Sequence, residues 1–202
     1  LGVTAEGYAA VGPLNWLAFN TASPKLSDVR VRQAIAYAVD RDFITKALHR
    51  GVSTPQRGPI IESSPFFDES IPAYDADLDK AKALMAEGGF AVGMEQTIDF
   101  IPGPKEQQQS IAEYMKSQLK KIGIPVTVRA EPDFPTWAGR AGGHAYELTM
   151  DIVFNWGDPV TGVQRPYLSH IFRHAGLWAT THTSHNPTVA ALRTYTRLTR
   201  YH

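Results

Sequence analysis

Between Thr97 and Ala130 the chain reads strand, helix, strand, and this order constrains the fold more than any other feature. Thr97 to Ile101 reads as a strand. Glu106 to Lys121 sets Ile111, Met115, Leu119 and Ile122 at helical spacing, and Val126 to Ala130 returns to a strand with valines at alternate positions. An intervening helix is the crossover that parallel strands need, so the two strands are expected to lie parallel with the usual right-handed connection.

The flanking segments extend the same pattern. Leu14 to Asn20 reads as a short strand, followed by a breaker-rich turn from Thr21 to Leu26. Ser27 or Asp28 can cap the next helix, in which Val31, Ala34, Ile35 and Ala38 form one apolar stripe. Asp40 starts a second helix with Phe43, Ile44, Ala47 and Leu48 inward, and Gly51 ends it. Prolines at 55, 59, 65 and 72 break every period from Val52 to Tyr74, which predicts a long irregular segment. Asp77 to Glu87 is a helix with Leu78, Ala81, Leu84 and Met85 on one side, stopped by Gly88-Gly89. Phe134 to Arg140 makes another helical piece closed by Gly142-Gly143, and Leu148 to Phe154 is the strand expected at the centre of the sheet. Helices are expected around Gln164 to Phe172 and from Pro187 onward, capped by Asn186.

Composition narrows the function classes. With 20 basic and 20 acidic residues there is no global field to gather nucleic acid or anionic lipid. Cysteine is absent, which excludes thiol catalysis, disulfides and cysteine-ligated metals. No apolar run approaches the roughly 20 residues that span a bilayer. The basic residues Arg30, Arg32, Arg41, Lys46 and Arg50 are interleaved with Asp28, Asp40 and Asp42, so local ion pairs account for them, and Tyr37 among alanines is no stacking platform.

Few residues suggest catalysis. Asp40/Asp42 and Asp75/Asp77/Asp79 stand at helix starts, where capping explains them better than acid–base work. No glycine pattern cradles a phosphate and no serine sits in a nucleophile elbow. His170 and His174 share a helical face, with His182 and His185 following, but the histidine–glutamate pattern of metalloproteases is missing, and surface histidines are the plainer reading. No metal or cofactor is therefore expected. The turn after the Leu148 to Phe154 strand is different, because open α/β sheets take ligands at strand carboxyl ends. Asn155 and Trp156 there are ligand-contact candidates, with packing as the alternative; Asp158 before Pro159 reads as a turn aspartate. Trp137 and Tyr146 are candidates to flank the same region, while Trp16 and Phe19 fit a core.

Several motifs stand together in one order: Asn20-Thr21, "PKLSDVRVRQAIAYAVDRDFI" with Gly51 and Pro55 after it, Tyr74-Asp75 with "KAKALMAEGGF", "YMKSQLKKIGIPVTV", "FPTWAGR" and the Asp158-Pro159 turn. From about Leu14 to Pro187 this resembles the extracellular solute-binding proteins of family 5, the peptide, nickel and opine receptors of bacterial ABC importers. The resemblance implies an α/β, periplasmic-binding-protein-like (type II) lobe with a mixed sheet flanked by helices. It implies a single distal lobe over residues 1–202, with the partner lobe and the C-terminal return absent. It further implies a non-catalytic, monomeric receptor, periplasmic or extracellular and membrane-anchored or not in its precursor, that hands a small polar solute (peptide, opine, sugar or similar) to a membrane ABC permease. Peptide-binding members carry an aspartate for the ligand's ammonium three residues before the aspartate-proline turn. Asn155 stands there, so Asn155, Trp156 and Asp158 become the implied ligand contacts without that charge. The basic tail after Asn186 also departs from the family's acidic helix. A structural or interaction role for the lobe, or a histidine-dependent metal protein or enzyme, is the alternative.

Overall fold

A computed structural model describes residues 12–155, apart from 59, 63, 71, 72, 91–93 and 104; the side chains of 13 and 153–155 are also outside the description. The expected helices around Gln164 and from Pro187, Trp156, Asp158 and the histidines at 170, 174, 182 and 185 lie outside the described residues. The chain divides into two compact units. One comprises Leu17–Pro55 and Tyr74–Asp151 and holds every described helix; the other includes residues 12–16, 56–73 and 152–155 among those described.

Strand β1 (Gly12–Phe19) leads to Asn20, which holds the next connection closed. The Asn20 amide donates to the carbonyls of His144 and Tyr146 at 3.0 and 2.8 Å, its Oδ1 accepts from the Ala22 N–H, and its own N–H donates to the Glu147 carbonyl. The expected turn contains one helical turn, α1 (Pro24–Ser27). Helix α2 (Val29–Ala38) begins at Asp28, which accepts from the Arg30 N–H, and buries Val31, Ala34, Ile35 and Ala38 as its spacing predicts. Its arginines are locally occupied: Arg30 pairs with Asp28 at 2.6 Å, and Arg32 donates to the carbonyls of Leu26 and Ser27. Tyr37 is not enclosed by alanines alone, since it meets Tyr74 edge-on at 5.0 Å and carries the Lys80 ammonium over its ring at 4.2 Å.

Asp40 caps α3 (Arg41–Phe43), which runs into a π-helical turn over Ile44–Leu48. Ile44 and Leu48 pack against the core as expected, but half of the expected inward face changes. The wider turn, closed by the His49 N–H donating to the Ile44 carbonyl, turns Thr45 and His49 inward and leaves Phe43 and Ala47 exposed. Burial lowers the pKa of His49, whose Nδ1 lies 2.7 Å from the Ser53 hydroxyl. No helix or strand occurs among the described residues from Val52 to Ala76. Within the second unit this segment is held by short turns, with the Ser64 N–H donating to Ile61 and the Phe67 N–H to Ser64.

Asp77 caps α4 (Leu78–Glu87), and Ala81 and Met85 are buried. Strand β2 (Gln96–Phe100), helix α5 (Lys105–Lys121) and strand β3 (Val126–Ala130) then form the expected unit, with β2 and β3 parallel from Gln96 opposite Val126 to Phe100 opposite Ala130. Gly123 releases the chain from α5: its φ of 83° lies where a side chain is strained, and the Gly123 and Ile124 N–H groups reach back to the carbonyls of Lys120 and Leu119. Asp133 caps α6 (Phe134–Gly142), after which β4 (Leu148–Asn155) enters the sheet parallel to β2. The strand order is β1-β4-β2-β3, so β4 is interior as expected. Because Asn20, at the end of β1, bonds Glu147, at the start of β4, these two strands run in opposite directions and the sheet is mixed.

One face of the sheet is apolar. Ile98, Phe100, Val126, Leu148 and Met150 meet the stripes of α2, α4 and α5 in a single core. Beside this core Gln96 is a flaw: it is buried, and neither polar atom of its amide has a hydrogen-bond partner among the described residues. An unpaired buried amide costs about 1–3 kcal/mol. Gln96→Met, which keeps the length without the polar atoms, is expected to stabilise the protein by about 1 kcal/mol. A higher urea midpoint with an unchanged slope would verify this.

Candidate functional site

The strands that look apolar in sequence alternate. Asp99 of β2 lies opposite Arg129 of β3 on one side and Thr149 of β4 on the other, all on the face away from the apolar core. Helix α6 lies on this polar face. The Trp137 indole donates to the Thr149 hydroxyl at 3.1 Å, and Arg140 reaches Glu131, the first residue after β3.

Four charges meet there. Arg129 grips Asp99 with a two-pronged pair, Nε to Oδ1 at 2.7 Å and Nη2 to Oδ2 at 2.6 Å. Its Nε also lies 3.1 Å from Glu131 Oε1, and Arg140 Nε lies 2.9 Å from the same oxygen; both are ionic contacts without hydrogen-bond alignment. The carboxylates are deeply buried, with 2% and 3% of the Asp99 and Glu131 side chains exposed, whereas those of Arg129 and Arg140 are 37% and 40% exposed. Burial raises the pKa of Asp99, against the opposing pull of the Arg129 hydrogen bond, and the same bond raises the pKa of Arg129. The group sits at the carboxyl ends of β2 and β3, where α/β sheets receive ligands.

Local reading of the sequence misses this cluster, because its members come from separate elements. A signal is present nonetheless: Asp99 and Arg129 are each the fourth residue of a five-residue strand, and parallel pairing in step sets them side by side. Phe134 is a second missed residue. It opens α6 and is 54% exposed, an apolar side chain beside the same strand end.

The other candidates divide. Asn155 is the last residue of β4, and its side chain is outside the described residues, as are Trp156 and Asp158 entirely. Trp137 and Tyr146 are both buried, and burial raises the Tyr146 phenol pKa. Both pack within the fold, the Trp137 ring between α6 and the sheet, while the turn that they are expected to flank lies outside the described residues. Among the described residues no cluster of metal-ligating side chains occurs, and no helix is long and apolar enough to cross a membrane. An open cavity of about 530 Å³ lies beside Asp40, Phe43, Leu78, Tyr114, Gln118 and Lys121. It follows the second half of α5, which returns toward the amino ends of the strands, so it is remote from the polar carboxyl edge.

Comparisons with known proteins agree with this architecture. Heme-binding protein A of Haemophilus influenzae is 33% identical over 152 residues, which are 71% of this chain and 27% of that protein. The periplasmic binding protein AgaA of A. tumefaciens R10, solved with agropinic acid, is 34% identical with a TM-score of 0.62, covering 70% of this chain and 29% of that one. The ABC transporter-associated periplasmic binding protein DppA of Helicobacter pylori, solved with the peptide STSA, shares the fold at 19% identity and a TM-score of 0.71, over 94% of this chain and 40% of that one. The chain thus spans well under half the length of each. The sequence pattern of the "Bacterial extracellular solute-binding proteins, family 5 Middle" matches residues 6–174. With most of its length inside that pattern, and with a periplasmic-binding-protein fold, the chain belongs to the bacterial extracellular solute-binding proteins of family 5.

Proposed function

We propose that this chain is one lobe of a two-lobed receptor that captures a small polar solute outside the cytoplasm and delivers it to a membrane ABC permease, without catalysis. The observation that carries the reading is the family match over residues 6–174, taken with β4 running parallel to β2 into Asn155. In such a receptor the open lobes admit solute, contacts from both lobes favour the closed state, and the permease reads closure. Asn155, Trp156 and Asp158 are the proposed contacts in this stretch, on the strength of their position in the sequence directly at the end of β4. Asn155 offers a neutral amide, which can donate and accept but holds no ammonium by charge. The solute is therefore of the opine, sugar or modified-peptide kind rather than one recognised by a free amino terminus. The agropinic acid held by AgaA, a relative at 34% identity, favours the first of these.

Replacing Trp156 by alanine in the intact protein is expected to weaken solute binding by about thirtyfold, the loss of one aromatic anchor, with unfolding unchanged. Calorimetric titration of wild type and variant reads this directly. Equal affinities would remove Trp156 from the site.

A further inference from the structure

We infer that Arg129 and Arg140 form a subsite for a carboxylate of the solute at the carboxyl ends of β2 and β3. The inference rests on the receptor reading and names a chemical class for its ligand. Both guanidinium groups are anchored from one side. Their Nε atoms converge on Glu131 Oε1 at 3.1 and 2.9 Å, and Asp99 takes Arg129 Nη2. With Arg129 Nε and Nη2 both given to Asp99, Nη1 of Arg129 and both Nη atoms of Arg140 meet no partner among the described residues, on side chains 37% and 40% exposed. Two planar guanidinium groups that converge on one buried carboxylate are held near each other. Planar guanidinium donors match the two oxygens of a carboxylate, and anchored ones bind at lower entropic cost.

The local charge also sets the class. Two arginines against Asp99 and Glu131 sum to zero, so no surplus field attracts polyanions. What the cluster offers is directed hydrogen bonding, which suits a single carboxylate on an otherwise polar solute. Lysine in place of Arg140 would keep the charge and lose the fork.

The test uses the intact protein with arginine side chains labelled for nuclear magnetic resonance, and acetate as the probe, with acetamide as a neutral control at constant ionic strength. Acetate is expected to shift the Arg140 side-chain signals saturably, with a dissociation constant of about 10–100 mM for so small a ligand. Acetamide should not. Arg140→Gln should abolish the saturable response at Arg129, and Arg140→Lys should weaken it at least about threefold. A linear response to acetate, an equal response to acetamide, or an unchanged Arg129 response in folded Arg140→Gln would each overturn the subsite. If acetate binds as expected but the intact protein captures no solute, the receptor reading fails and the subsite stands. If solute is captured while acetate leaves Arg140 unmoved, the subsite alone fails.

Discussion

Arg129→Ala is expected to destabilise the protein by about 2–3 kcal/mol, less than the cost of breaking a fully buried ion pair because the Arg129 side chain is 37% exposed. The penalty comes less from the lost attraction than from what remains: Asp99, with 2% of its side chain exposed, keeps a charge that its surroundings cannot solvate. The variant should therefore show a distinctive pH dependence. Burial already raises the pKa of Asp99 above its ordinary 3.8, and loss of the Arg129 hydrogen bond raises it further. Between 3.8 and the folded value the native state binds more protons than the unfolded state, so stability falls as pH rises through that window. The cost is complete above the folded pKa and fades as pH approaches 3.8. Urea unfolding across this range reads it, and a penalty independent of pH would contradict an uncompensated Asp99. Replacing the pair together, Asp99→Leu with Arg129→Met, should be far milder than the single change, because two desolvation costs vanish with one attraction.

Trp137→Ala is the other large effect, about 3–5 kcal/mol. The ring is 2% exposed and fills the layer between α6 and the sheet, with Phe134 packed on it at a centroid distance of 5.6 Å. Alanine leaves a cavity and strips the Thr149 hydroxyl of its indole donor. Trp137→Phe should cost about 1–2 kcal/mol, since most of the volume is kept while the bond to Thr149 is lost. The contrast with Trp156 separates the two tryptophans. Substitution of Trp137 is expected to move the unfolding midpoint, whereas substitution of Trp156 moves affinity at constant midpoint.

What the sequence discloses follows the range of the interactions. Asp28, Asp40, Asp77 and Asp133 each accept from a backbone N–H two or three residues ahead, so capping lies within a short window. The stripes Val31/Ala34/Ile35/Ala38 and Ile111/Met115/Leu119 are equally local and equally legible. Phe43 and Ala47 mislead because a period of 3.6 is assumed where the chain winds to a π turn. The strand Leu148 to Phe154 is expected at the centre of the sheet for its apolar character, and its Thr149 and Asp151 face away from the core that holds Leu148 and Met150. The Asp99–Arg129–Glu131–Arg140 cluster is least legible, since strand register, which no single window contains, brings Asp99 and Arg129 together across thirty residues.

Asn20 is an instructive intermediate. Its place before the opening helices supports the family resemblance, but the reason for it appears only in three dimensions. It joins the exit of β1 to the segment entering β4, more than 120 residues away. The change to Ala would release the carbonyls of His144 and Tyr146 and loosen the entry of the interior strand. The resemblance thus rests on a residue with a structural task, while solute choice is proposed to rest on Asn155, Trp156 and the arginine pair.

Capture of a polar solute is tested by native mass spectrometry of the intact protein, followed by identification of what it releases and calorimetric titration of that compound into stripped protein. One stoichiometric solute is expected, carrying a carboxylate and rebound by wild type more tightly than by Trp156→Ala. A protein that retains nothing and rebinds none of the peptides, opines or sugars offered to it would not be a solute receptor.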